Sequence, residues 1–195
     1  FFMENFDEMI EQCTVSFAPF GVVEMQDIPD IDLYMDQVTT FMDRALTSYK
    51  RKPDDKILTK TMINNYTKAK IFPAPNKKKY NRSHLMLLII IYHLKSILCI
   101  HVIGVLIRPL IESLDEKQDD TLLQEVYCSF VKVQKAVIAF YSSRTFPSHD
   151  MMLKEVILSH EKETIKKILL VLMVSLQANM EKHIAEYALD HYFEA

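Results

Sequence analysis

The side chains best placed to do chemistry are cations, and they are concentrated in one segment of the chain. From Lys50 to Arg82 the 195-residue sequence carries eleven Lys or Arg against two acids, a net charge of +9 in a chain whose formal net charge is −3. Amide and hydroxyl side chains lie among them in TKTMINNYTK, and three consecutive lysines follow in NKKKY. Lysines neutralise phosphates, and Asn pairs with adenine in the major groove. The segment therefore predicts double-stranded DNA as the partner.

A short helix must position these groups, and the sequence predicts one from Lys60 to Lys68. Thr59 is the expected N-cap, because its hydroxyl can accept a hydrogen bond from a free amide of the first turn. Met62 and Ile63 then face inward. The prolines of FPAPNKKKY predict a turn that exposes its lysines to the DNA backbone. The expected DNA-binding residues are Lys60, Thr61, Asn64, Asn65, Tyr66, Lys68, Lys77, Lys78, Lys79, Tyr80 and Arg82.

This stretch resembles the winged helix-turn-helix of MerR-type regulators, with a gapless register from Thr59 to Pro75. The matching positions are Thr59 at the cap, Tyr66 and Lys68 at the end of the recognition helix, Ile71 and Phe72 as the apolar pair, Pro73 and Pro75 in the wing, and Tyr80 at its close. Residues 25–140 also resemble DUF1836, a bacterial family of unknown function with this MerR-like module. The resemblance implies a DNA-binding transcriptional regulator.

A second hypothesis remains open beside DNA binding. MerR-type recognition helices usually carry an arginine and paired tyrosines where this chain has Asn64 and Asn65. The chain outside the basic segment carries a net charge of −12. Both features fit a non-catalytic protein-interaction module that keeps the fold but not DNA binding.

No pattern in the sequence predicts an enzyme. The seven histidines form no HExxH motif, and His93 and His101 lie eight residues apart, too far for one helical metal pair. Ser148, His149 and Asp150 are adjacent, and this spacing favours a helix N-cap over a catalytic triad. The two glycines are isolated, so no phosphate-binding loop is expected. We expect no catalytic residue, metal or cofactor.

The elements that surround the basic segment are predicted to be helical, because two glycines cannot supply the turns of a many-stranded sheet. The expected class is all-α: a MerR-like module over residues 1–112, then a helical C-terminal subdomain over 120–195, joined by the acidic linker ESLDEKQDD. Further helices are expected at Asp30–Tyr49, from Ser83 to Leu98, from Cys99 to Pro109, at Thr121–Tyr141 and at Asp150–Tyr192. In the first, one face is expected to carry Ile31, Tyr34, Val38, Phe41, Ala45 and Tyr49.

Two apolar patterns allow more than one interpretation. The 23 residues from Leu85 to Ile107 are long enough to span a bilayer, but Lys95 would cost about 2.5–3.5 kcal/mol at its centre, so a buried core is expected and no membrane. A seam of apolar residues at a and d positions runs from Leu123 to Phe140. It fits packing inside the chain or a homodimer through the C-terminal helices.

The cysteines and methionines support weaker expectations. Three widely spaced cysteines predict no disulfide framework and favour the cytoplasm. Met151, Met152, Met173 and Met180 are expected to fill gaps in a core, with a small-ligand pocket as the alternative.

Overall fold

The computed structural model describes residues 20–117, 119–142, 160 and 162–192. In these residues the fold is built from α-helices with one small antiparallel sheet, which confirms the all-α class. The helices are α1 (Met35–Ala45), α2 (Lys60–Lys68), α3 (Arg82–Lys95), α4 (Ile100–Lys117), α5 (Thr121–Ser142) and α6 (Glu163–Tyr192). The strands are β1 (Leu33–Tyr34) and β2 (Lys79–Tyr80), and single 3₁₀ turns lie at Met25–Asp27 and Thr47–Tyr49.

The first helix is shorter than predicted at both ends. Leu33 and Tyr34 are extended because they pair with Tyr80 and Lys79, so the helix begins only at Met35. Ile31 and Tyr34 therefore lie before the helix, not on its expected apolar face, and are 68% and 54% exposed, whereas Val38 of that face is buried. A local apolar period cannot reveal that a strand partner lies more than forty residues further along the chain.

The length of α4 contradicts two further predictions, one about Pro109 and one about the acidic linker. Pro109 was expected to end a short helix, but it lies inside α4, which continues to Lys117 through most of the predicted acidic linker. Proline removes one backbone donor inside a helix. The stripe of Ile103, Ile107 and Leu110 is buried on both sides of that position, so packing holds the helix together.

The apolar block of the sequence forms the centre of the core. From Ser83 to Ile91 every residue of α3 is buried, because α4, α5 and α6 all pack against this helix. The chain turns between Ser96 and Cys99, so the 23-residue run is divided between two helices. Within the described ranges, no helix combines the length and apolarity that a bilayer crossing requires.

The seam of α5 packs inside the chain. Leu123, Val126, Phe130, Val133 and Val137 are buried, and α6 is the helix with which α5 makes its most extensive contact. This confirms the intrachain interpretation of the seam.

The last predicted helix is confirmed only in part. Residues 160 and 162 are not helical, and α6 begins at Glu163. Met173 and Met180 are buried in the core. The predicted N-cap at Ser148–Asp150, together with Met151 and Met152, lies outside the described residues.

One hydrophobic cluster runs from Val23 to Met180 and so includes residues on both sides of the expected linker. The hydroxyl of Tyr127, in α5, donates a buried hydrogen bond of 2.8 Å to the carbonyl of Val23 in the N-terminal segment. The division into units 1–112 and 120–195 stays a prediction.

Candidate nucleic-acid interface

The helix α2 has one buried and one exposed face, as the sequence predicts. The Thr59 hydroxyl accepts a 3.2 Å hydrogen bond from the amide of Met62, which confirms the N-cap. Ile63 and Tyr66 are buried and fix the helix to the core. We call the opposite side the α2 outer face; its exposed residues are Lys60, Thr61, Asn64, Asn65 and Lys68.

The end of α2 is closed by a tight reverse turn. The amide of Ile71 donates to the carbonyl of Tyr66 at 3.1 Å, and the amide of Lys70 donates to the carbonyl of Thr67 at 3.0 Å. This pair of bonds is a Schellman motif, which requires a left-handed residue and favours glycine. Lys70 holds that position with a φ of 57°. The turn directs Ile71 and Phe72 straight back into the core.

The three consecutive lysines belong to a tight turn, Asn76–Lys79, which we call the lysine turn. The amide of Lys79 donates to the carbonyl of Asn76 at 2.8 Å, and Lys77 and Lys78 have φ values of 47° and 65°. Positive φ at both central residues is the type I′ geometry of tight β-turns. Lys77 and Lys78 are therefore held at an exposed tip, while Lys79 enters β2 with its ammonium 5.5 Å from the centre of the Tyr34 ring.

Aromatic side chains attach the base of the lysine turn to α3. The rings of Phe72 and Tyr80 are stacked with centroids 6.1 Å apart, and His84 meets both edge-on at 5.4 Å. Burial lowers the pKa of His84, so the ring is neutral at physiological pH. The neutral ring packs with the aromatics, so the turn is supported by apolar contacts.

Three of the residues expected to bind DNA make contacts inside the protein. Tyr66 and Tyr80 are 1% and 3% exposed, so their rings present almost no surface to a partner. Their rings fill the core under α2 and the lysine turn. Arg82 is also committed: its Nη2 donates to the carbonyls of Met25 and Ile28 at 2.8 and 3.1 Å, which ties the N-terminal segment to the start of α3.

A cationic groove between α1 and the start of α2 was missed by the sequence analysis. Its volume is about 360 Å³, and it exposes Arg44, Lys56 and Lys60. Asp43 also lines it, but this carboxylate accepts a 2.7 Å hydrogen bond from Lys50, which lowers its pKa and compensates its charge. The basic segment would have included Arg44 if it had been extended by six residues toward the N-terminus. The position of Arg44 at the groove, however, depends on how α1 packs on α2.

The cations of the interface differ in how strongly they are paired. Lys60 forms an exposed ion pair with Asp36 of α1. Among the described residues, Lys68, Lys70, Lys77 and Lys78 form no ion pair. In that same part of the chain no group of His, Cys, Asp or Glu side chains is arranged to hold a metal ion. The available chemistry of this surface is thus the binding of anions by unpaired lysines beside two exposed amides.

Comparison with known proteins identifies a family over the same region. The family described as a domain of unknown function, DUF1836, matches residues 23–130, which include α1 to α4, the lysine turn and the first part of α5. No curated protein and no solved structure gives a significant match. Because the match extends over more than half of the chain, this protein belongs to the DUF1836 family.

Proposed function

We propose that the protein is a DNA-binding transcriptional regulator in which α1, α2 and the lysine turn act as a winged helix-turn-helix of MerR type. One observation carries this proposal: the outer face of α2 exposes Asn64 and Asn65 together with the unpaired Lys68, while its inner face is locked into the core by Ile63 and Tyr66. A helix that reads bases needs such an amide face on a rigid support.

The division of labour follows from the side chains. Asn64 and Asn65 are the candidates for base contacts, because an amide can donate to and accept from adenine at the same time. Lys77 and Lys78 at the tip of the turn, with Arg44 in the groove, are candidates for phosphate contacts, which position the protein but read no sequence. The contact of α1 with both α2 and β2 supports this arrangement, since α1 can hold reader and turn in a fixed relation.

The first test separates phosphate contacts from the folding of the turn. In the double variant Lys77→Asn and Lys78→Gly, two charges are lost but Asn-Gly suits a type I′ turn, so folding is preserved. We expect binding to weaken equally for all duplexes. The slope of log K against log[salt] should fall by up to about 0.9 for each lost contact. The control is Lys167→Asn on α6, at an exposed position far along the chain.

The second test addresses the amides. A selection from random duplexes should return a preferred site, and Asn64→Ala should change the preference at one base pair by about 1–3 kcal/mol. If the unmodified protein binds no duplex in a salt-sensitive manner, the proposal is contradicted.

The alternative is a protein-interaction module, and the net charge of −12 outside the basic segment favours it. In a pull-down, a module of this kind would retain one stoichiometric protein partner and no nucleic acid. The same random-duplex selection distinguishes the two, because only a DNA reader enriches a sequence.

A further inference from the structure

A small cavity lies where α2, the end of α3 and α6 meet. Its volume is about 240 Å³, below the roughly 300–1,000 Å³ usual for sites that bind drug-sized ligands. Met62 of α2, Tyr92 and Lys95 of α3, and Asn179 and Lys182 of α6 are among the residues that line it. A molecule inside would touch the candidate recognition helix and the C-terminal helix at the same time.

The walls of the cavity combine rings with an excess of positive charge. Tyr49 and Tyr92 supply aromatic surface. The Tyr49 hydroxyl already donates to the carbonyl of Gly21 at 3.0 Å, so Tyr49 offers an occupant its ring alone. Of the charged lining residues, Glu186 already lies 3.7 Å from Arg51 and 3.6 Å from Lys182. Lys95 makes no ion pair with a described residue. This composition suits a compact anion with an aromatic or apolar body.

Lys95 connects the cavity to α2. Its ammonium lies 5.8 Å from the centre of the Tyr66 ring, close enough for a cation–π contact with the buried anchor of that helix. An anion in the cavity would compete with the ring for this ammonium. Met62, three residues after the N-cap, would contact the occupant directly.

The wall of the cavity that α6 forms is joined rigidly to α3. The side-chain amide of Asn179 donates to the carbonyl of His93 at 2.8 Å, and the hydroxyl of Ser96 donates to Asn179. These bonds hold α6 against the last turn of α3, so this wall stays in place. Adjustment to an occupant therefore falls on Met62 of α2 and on the side chain of Lys95.

We propose that this cavity binds a small aromatic or apolar carboxylate, and that its occupation alters the setting of α2. The binding rests on the cavity alone, whereas the regulatory consequence rests on the proposed DNA-binding function. The carboxylate is held by Lys95, and the ring lies between Tyr49, Tyr92 and Met62. Because α6 lines the same cavity, it takes part in controlling α2, the candidate recognition helix.

The binding is tested with benzoate and its uncharged analogue benzamide on the full chain. Titrations are followed by calorimetry and by the NMR signals of methyl-labelled methionines. We expect benzoate to bind at least about tenfold more tightly than benzamide and to shift the methyls of Met62 and Met180 but not that of Met86. Lys95→Met should reduce benzoate affinity about tenfold or more, and the exposed control Lys167→Met should leave it unchanged.

The binding proposal would be overturned by any of three results. These are the absence of benzoate binding, equal affinity for benzoate and benzamide, and methyl shifts confined to methionines outside the cavity. If Lys95→Met does not fold, Lys95→Gln takes its place, since it removes the same charge and keeps a polar side chain.

Regulation is tested by measuring affinity for a selected duplex with and without saturating benzoate. A change in affinity supports the proposal, and an unchanged affinity with benzoate bound overturns its regulatory part. If benzoate binds but no duplex does, the DNA-binding proposal fails and the cavity stands. If a duplex binds but benzoate does not, the cavity proposal alone fails.

Discussion

The Tyr66 side chain shows how burial changes the meaning of a single residue. Its hydroxyl is buried with no hydrogen-bond partner, and burial raises its pKa to about 12. An unsatisfied buried hydroxyl is costly, so Tyr66→Phe should leave the free energy of unfolding unchanged or raise it by about 1 kcal/mol. Duplex affinity should not change. Denaturant unfolding and a binding titration measure both, and a large loss of affinity would show that the hydroxyl reaches DNA.

His93 makes stability depend on pH. Burial lowers its pKa from 6.5 to about 3, and its Nε2 lies 3.0 Å from the side-chain amide nitrogen of Gln134. Between these pKa values the unfolded chain binds a proton that the folded chain does not. Stability therefore falls as pH falls below 6.5, by up to about 1.4 kcal/mol per pH unit.

The measurement is the free energy of unfolding between pH 7 and about 4.5, above the range in which most carboxylates titrate. The variant His93→Gln should show a shallower dependence, while His101→Gln, at an exposed position, should keep the slope of the unmodified chain. Equal slopes in all three proteins would contradict the assignment to His93.

At the scale of the element, the end of α2 carries a measurable strain. Lys70 has a positive φ, which costs a non-glycine residue about 1 kcal/mol. Lys70→Gly should raise the free energy of unfolding by roughly 0.5–1 kcal/mol. Lys70→Ala removes the same charge but keeps the strained φ, and serves as the matched control. Thermal unfolding of the three proteins tests this, and equal stabilisation by both variants would assign the effect to charge.

Element boundaries show which local signals are strong. The bounds of α2 were predicted correctly, and its start has a local signal in the capping hydroxyl of Thr59. Pro109 misled the prediction, since a local rule about proline takes no account of the packing that continues through it. β1 was missed because it is defined by pairing with β2.

At the scale of the molecule, the helical C-terminal half leaves apolar side chains uncovered. Leu170 and Val174 are 43% and 50% exposed and lie one turn apart on α6. Since readers of two-fold DNA sites dimerise, we expect a homodimer through this face. Sedimentation should show that Leu170→Glu with Val174→Glu shifts a dimer to a monomer, whereas Arg108→Glu, at an exposed position of α4, does not. A monomeric unmodified protein would remove this expectation.

The sequence alone determined the helical class, the family resemblance, the bounds of α2 and the segment in which positive charge is concentrated. These follow from composition and from neighbours along the chain, which act over one or two turns. The tertiary structure decided which of those residues are available to a partner. It buried Tyr66 and Tyr80, committed Arg82 to two backbone carbonyls and placed Arg44 at the groove. Exposure is a property of how distant segments pack, and no local pattern encodes it.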